Sequence, residues 1–161
     1  MRTDTATAVH RHDYASPAYW VETIDIGFDL DPAETRVAAR SVHRRNTDSR
    51  QTDLVLYGEA LELIALRMNG KSLSSRQYRL EGSKLVIPHA PDEVTLEIET
   101  LIRPASNTSL MGLYVSNGNF FTQCEAEGFR KITFFPDRPD VMATYRVMLR
   151  ADKQMYPVLL S

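Results

Sequence analysis

The chain is 161 residues long, 43% hydrophobic and 25% charged, enough for one domain with its own core and too short for two comfortable ones. Its formal net charge of -2 lacks the basic excess of a nucleic-acid binder, and no stretch approaches the roughly 18 apolar residues of a membrane span, so neither partner is expected. One cysteine, Cys124, cannot close an internal disulfide, which fits a reducing compartment and a cytoplasmic location.

Met1 to His12 is polar and has no apolar run, so it does not read as a signal peptide. Residues 1–15, rich in Thr, Ala and His, read as a flexible lead-in, and residues 16–161 as a single domain. From Tyr19 the pattern turns β. Ile24, Ile26, Phe28 and Leu30 alternate with Thr23, Asp25, Gly27 and Asp29, the period of a strand with one buried face. Asp31-Pro32-Ala33-Glu34 reads as a turn, and Thr35–Val42 as a second strand in a hairpin with the first. The cluster His43-Arg44-Arg45, followed by polar residues, reads as a solvated turn. Asp53–Tyr57 is a short apolar run. Leu61–Met68 is ambiguous between strand and helix, and it ends at Asn69-Gly70, the strongest short hairpin signal.

Further on, Gln77–Leu80 and Lys84–Ile87 flank Glu81-Gly82-Ser83 as another hairpin. Val94, Leu96 and Ile98 alternate with Thr95, Glu97 and Glu99 in a half-buried strand. Lys131–Phe135 and Tyr145–Arg150 read as two more strands, with room for a helical turn around Pro139–Ala143. Strands at roughly ten-residue spacing, with turn signals between them, predict an all-β fold, an antiparallel β-sandwich. The apolar end Val158-Leu159-Leu160 is costly to leave in water and reads as a sign that the chain is cut from a longer one.

Much catalytic chemistry is missing from the pattern. His10, His12, His43 and His89 form no His-Glu-x-x-His motif, so no metal site is expected within the chain. Neither a Gly-x-Ser-x-Gly elbow nor a Gly-rich phosphate loop occurs. Cys124 has no histidine near it in sequence and reads as a buried structural thiol. One stretch stands apart, Gln123-Cys124-Glu125-Ala126-Glu127. If extended, it places Gln123, Glu125 and Glu127 on one face. Such a face suits an ammonium group, which has three donors and no acceptor; the competing reading is a solvated strand edge. Glu125 and Glu127, about 7 Å apart along a strand, could also form an acid–base pair, though a sugar cleft needs more aromatics than Trp20 supplies. The proline-bracketed Phe135-Pro136-Asp137-Arg138-Pro139-Asp140 reads as a stiff structural turn.

The run Gln123-Cys124-Glu125-Ala126-Glu127-Gly128-Phe129-Arg130, with Ile132-Thr133 and Asp137-Arg138-Pro139-Asp140-Val141-Met142-Ala143, closely resembles the bacterial aminopeptidase N family of gluzincin zinc metallopeptidases. So do His12-Asp13-Tyr14 with Pro17 and Tyr19, Ile24-Asp25, Phe28-Asp29-Leu30, Asn107-Thr108 with Gly112-Leu113-Tyr114, and Tyr156-Pro157-Val158-Leu159-Leu160-Ser161. The resemblance spans nearly the whole chain. It implies a saddle-like β domain, the first of several, followed by a thermolysin-like catalytic domain on the same polypeptide. That domain holds zinc through His-Glu-x-x-His and a distant Glu, and carries a Gly-x-Met-Glu-Asn substrate motif; neither motif is in this sequence. The family's Gln-x-Glu pair lines the substrate pocket, its Glu holding the α-amino group of a peptide N-terminus. By resemblance those roles fall on Glu125 and Gln123, while Arg130 braces the loop. The expected parent is a zinc metalloaminopeptidase, a hydrolase of peptide catabolism, and this chain alone, without cofactor, is expected to be inactive. Two rivals remain: a stand-alone β-sandwich peptide-binding module without catalysis, and a small carboxylate-pair hydrolase.

Overall fold

The computed structural model describes residues 10–160. The lead-in expected over residues 1–15 therefore falls outside the described residues up to position 9, and so does the end at Ser161. Beyond position 9, Arg11–Asp13 makes one 3-10 turn. The Tyr14 hydroxyl then donates to Asp140 at 3.0 Å, and Arg138 donates to the Ala15 carbonyl at 2.8 Å.

The strands are β1 (Tyr19–Asp29), β2 (Thr35–Arg45), β3 (Leu54–Tyr57), β4 (Glu62–Met68), β5 (Lys71–Ser72), β6 (Arg79–Glu81), β7 (Lys84–Ile87), β8 (Glu93–Ile102), β9 (Gly112–Ser116), β10 (Asn119–Gln123) and β11 (Thr144–Arg150). Six of them form one large sheet in the order β11-β1-β2-β8-β4-β5. Two small sheets, β3-β7-β6 and β10-β9, complete the described β structure. Pairing is antiparallel except that β11 runs parallel to β1, with Val147 opposite Ile26. A parallel partner needs a crossover, and here the long segment from β9 to Ala143 provides it.

The large sheet has one apolar face and one charged face, as the period-2 pattern requires. On the apolar face the core divides in two. Tyr19, Leu66, Leu96 and Ile98 pack against Leu54, Leu56, Leu85 and Ile87 of the three-stranded sheet. Beside them, Ile24, Ile26, Phe28, Val37 and Ile102 pack against Leu113 of β9 and against Ile132, Phe135 and Val141. On the charged face, ion pairs run across strands, among them Arg44–Glu22, Arg67–Glu97 and Arg146–Asp25. These pairs are exposed, and each contributes a few tenths of a kcal/mol.

Two local expectations are corrected, His43-Arg44-Arg45 as a turn and Lys131–Phe135 as a strand, and two open readings are resolved. Leu61–Met68 resolves as strand β4, whose partner β8 is already half-buried. His43-Arg44-Arg45 is the end of β2 rather than a turn, because β1 and β8 both pair with it there. Lys131–Phe135 is not a strand. Phe129–Lys131 forms a 3-10 turn, and Phe135 makes one bridge to Tyr57. The polar groups between them are satisfied sideways, as where the Thr100 hydroxyl donates to the Ile132 carbonyl at 2.9 Å. Around Pro139–Ala143 a single turn forms, closed by Val141 N to Arg138 O at 3.1 Å.

His43 sits in this core at 1% exposure. Its Nε2 lies 2.8 Å from the Ser41 hydroxyl, and its Nδ1 has no hydrogen bond among the described residues. Burial penalises the imidazolium and lowers its pKa from 6.5 to about 4. The unfolded chain therefore binds the proton more tightly, and the stability this group contributes is whole above pH 6.5 and is lost as pH falls towards 4. Urea unfolding is expected to show about 2 kcal/mol less stability at pH 5 than at pH 7 from this group. The His43→Leu variant should flatten that difference.

Candidate functional site

The hairpin of β9 and β10 turns at Asn117-Gly118, with φ of 48° and 77°, the backbone of a type I′ turn that these two residues adopt most readily. In the ladder, Tyr114 opposes Phe121 and Gly112 opposes Gln123, so the hairpin ends with Gln123 at the last position of β10. The chain then leaves the sheet. Glu125 to Gly128 form a turn, and the Glu125–Ala126 peptide is cis.

Gly128 closes this turn over its own start. A Cβ there would lie 2.9 Å from both the Cys124 Cα and the Gln123 carbonyl oxygen, backbone atoms that cannot yield. Only glycine lets the two passes of chain touch. The turn is then tied down by Asp137, which is 5% exposed. Its carboxylate accepts from the backbone N–H groups of Phe129 and Arg130, both at 3.2 Å, and from the Arg130 guanidinium. Arg130 also donates to the Asp137 carbonyl at 3.0 Å and lies 5.1 Å above the Tyr57 ring. Its own carbonyl accepts from Glu59 N at 2.8 Å. A carboxylate buried this deeply is tolerable because its acceptor sites meet a cation and two amides.

The same arginine sorts the two glutamates. Arg130 donates to Glu127 at 2.8 Å. The carboxylate of Glu125, exposed to solvent, makes no hydrogen bond or ion pair among the described residues. The Gln123 Nε2 lies 3.5 Å from the Glu125 carbonyl oxygen, which brings the amide beside the turn. The single face expected for Gln123, Glu125 and Glu127 does not form, because the chain bends at Glu125 and Arg130 draws Glu127 away. The Gln123 amide reaches the backbone of Glu125, while the Glu127 carboxylate is held by Arg130. Of the two carboxylates in this turn, Glu127 is paired with Arg130 and Glu125 has no hydrogen bond or ion pair among the described residues. What is left is an amide and an unpaired carboxylate on a braced turn, acceptors suited to an ammonium ion.

Cys124 is half-buried beneath this turn, and burial, with the nearby Asp137 charge, pushes its thiol up to about 11. At neutral pH it is a neutral thiol packed against the core, without nucleophilic character. Among the described residues, no group of three or more His, Cys, Asp or Glu side chains could hold a metal ion. No described helix is long and apolar enough to cross a membrane.

Replacing Asp137 tests the clamp. Asp137→Ala strands two amides and a guanidinium, and is expected to lower stability by about 3 kcal/mol. Asp137→Asn keeps an oxygen acceptor and tolerates the local φ of 43°, so it should lose clearly less. Urea midpoints of the two variants and the parent chain measure both effects.

Residues 25–161 match the family model described as the Peptidase M1 N-terminal domain. The chain is 48% identical over all of its length to Aminopeptidase N of Caulobacter vibrioides and 44% identical over 99% of its length to Aminopeptidase N of Escherichia coli. In both cases it spans only 18% of the relative. Its fold matches the crystal structure of Legionella pneumophila aminopeptidase A in complex with aspartic acid, with a TM-score of 0.85 and 37% identity over 92% of this chain and 18% of that one. An M1 zinc metallopeptidase from Deinococcus radiodurans shares the fold alone, with a TM-score of 0.68 at 15% identity over 84% of this chain and 33% of that one. On the extent of the family match and on these identities, the chain belongs to the Peptidase M1 N-terminal domain family.

Proposed function

We propose that this chain is the opening part of a zinc-dependent aminopeptidase and that Glu125 and Gln123 form part of its pocket for the substrate α-ammonium group. One observation carries this reading: Glu125 presents an unpaired carboxylate on a turn that Gly128 and the Arg130–Asp137 pair hold fixed. The names of the similar full-length proteins support it. A peptide N-terminus would offer its three donors to the Glu125 carboxylate and the Gln123 amide oxygen. Fixing the ammonium fixes which peptide bond lies next in line, so one residue would be removed at a time.

The described residues offer no group of side chains suited to zinc, and the ligands and general base would come from a catalytic domain elsewhere on the polypeptide. Zinc bound there would supply Lewis acidity to the scissile carbonyl. The contribution of this chain is binding and register. A place in cytoplasmic peptide catabolism belongs to the same proposal, supported by the single cysteine.

The test uses the complete polypeptide and an aminoacyl p-nitroanilide. Glu125→Ala should lower kcat/KM on the order of a hundredfold or more, the consequence of leaving the ammonium unpaired. Glu127→Ala, whose partner is Arg130, should stay within a few-fold of the parent enzyme. Undiminished kcat/KM in the Glu125 variant would remove this residue from the amine pocket.

A further inference from the structure

The turn that carries Glu125 is held by Asp137 on one side, and on the other it rests on residues 111–113. Gly112 is the ladder partner of Gln123. A Cβ on Gly112 would lie 2.6 Å from the Lys131 Cβ and 3.3 Å from the Gly128 carbonyl oxygen. The start of β9 therefore lies against both ends of the turn, position 123 through the ladder and position 128 by direct contact. The Met111 side chain reaches the same place, since its Cε would stand 3.0 Å from a Cβ on Gly128.

Leu110 and Gly112 both take a left-handed backbone, with φ of 56° and 73°, so the chain enters β9 on an irregular course. One side chain fixes that course. The Asn107 Nδ2 donates to the Met111 carbonyl at 2.8 Å and to the Leu113 carbonyl at 2.9 Å. Its Oδ1 accepts from Ser109 N at 3.2 Å and from the Ser109 hydroxyl at 2.7 Å. Both amide hydrogens and both oxygen lone pairs are thus engaged, and a flipped amide would set donors against donors. Asn107 is itself anchored. Its backbone N–H donates to the Pro104 carbonyl at 3.2 Å, closing the 3-10 turn Pro104–Ser106. Ala105 N in turn donates to the Pro32 carbonyl between β1 and β2 at 2.8 Å.

From these contacts we infer that Asn107 is a positioning residue of the amine pocket. By holding the backbone of Met111 and Leu113 it sets where Gly112 meets Gln123 and Gly128, and so where the Gln123 amide stands relative to the Glu125 carboxylate. The inference rests on the proposed roles of Gln123 and Glu125. It adds a second support for them, which starts from the large sheet and is separate from the Asp137 clamp.

The ammonium takes no part in bond breaking, so its pocket binds ground state and transition state alike. A displaced pocket then raises KM and leaves kcat near the parent value. Lost stability alone does the opposite, lowering kcat with the inactive fraction and leaving KM unchanged. The experiment is steady-state kinetics of the complete zinc-loaded polypeptide on an aminoacyl p-nitroanilide. Asn107→Ala is expected to raise KM about tenfold with kcat within about threefold of the parent. Asn107→Asp keeps the size and the acceptor for Ser109 but sets a carboxylate oxygen against two carbonyls, so it should raise KM at least as far. In a Glu125→Ala background no carboxylate remains to be positioned, and adding Asn107→Ala should change kcat/KM by less than about threefold. Far-UV circular dichroism checks the fold of each variant; if the Asn107 variants do not fold, Gly112→Ala, strained at its φ and pressed against Lys131, carries the same test. Parent KM in folded Asn107→Asp, an effect confined to kcat, or an effect of equal size in both backgrounds overturns the inference and leaves the amine pocket standing. Undiminished kcat/KM in Glu125→Ala overturns the pocket itself and this inference with it.

Discussion

Burying a carboxylate costs several kcal/mol unless its partners are in place, and the local structure around Gln123 depends on how Asp137 meets that cost. Its partners are the amides of Phe129 and Arg130 and the Arg130 side chain. To reach them, the chain after Phe135 must double back beneath the 3-10 turn at Phe129–Lys131. That path brings Tyr57 under the guanidinium and Glu59 to the Arg130 carbonyl. One ion pair therefore links the turn, the three-stranded sheet and the crossover leading to β11. It also decides the roles of two glutamates two residues apart, since the arginine that satisfies Asp137 takes Glu127 as well and leaves Glu125 to solvent.

The surrounding frame is a division of labour within one large sheet. Its charged face needs no cover, and its apolar face is too wide for either small sheet alone. The three-stranded sheet covers one half, while β9, β10 and the segment 129–141 cover the other. The second cover is the thinner, with only two strands, and beside it the sheet still shows Tyr145, Val147 and Leu149. The turn carrying Gln123 and Glu125 lies at the end of that thinner cover, where the chain is released from the β ladder and can take an irregular course. Rigid sheets holding a short irregular segment are a common way to position binding groups.

The strands with strict alternation, β1, β2 and β8, were legible in the sequence because a half-buried strand writes its period into the residue order. The hairpin at Asn69-Gly70 was legible for a related reason. The hairpin of β9 and β10 carries the same signal at Asn117-Gly118, but its strands Gly112–Ser116 and Asn119–Gln123 are short and alternate poorly, so the period that marks a strand is missing. That signal would have placed Gln123 at the end of a strand rather than within one. The stretch from Lys131 to Phe135 reads as a strand because it is apolar and β-branched, yet Ile132, Phe134 and Phe135 are buried in the two apolar clusters, with one bridge to Tyr57 in place of a ladder. The contact of Gly128 with Cys124 and the distant capture of Arg130 by Asp137 are tertiary events, and no local pattern announces them. Gln123 and Glu125 can be named from resemblance; the engagement of Glu127 by Arg130 depends on the turn at Glu125 to Gly128.

The Asp137 carboxylate locks the 129–130 backbone, and amide hydrogen exchange reads this directly. The N–H groups of Phe129 and Arg130 should exchange only through global unfolding, with protection matching that of the β2 and β8 amides. The amide of Glu127, in the same turn, should exchange much faster. Exchange of Phe129 and Arg130 at the rate of Glu127 would mean that the clamp is open in solution and that the turn carrying Glu125 is not held by it.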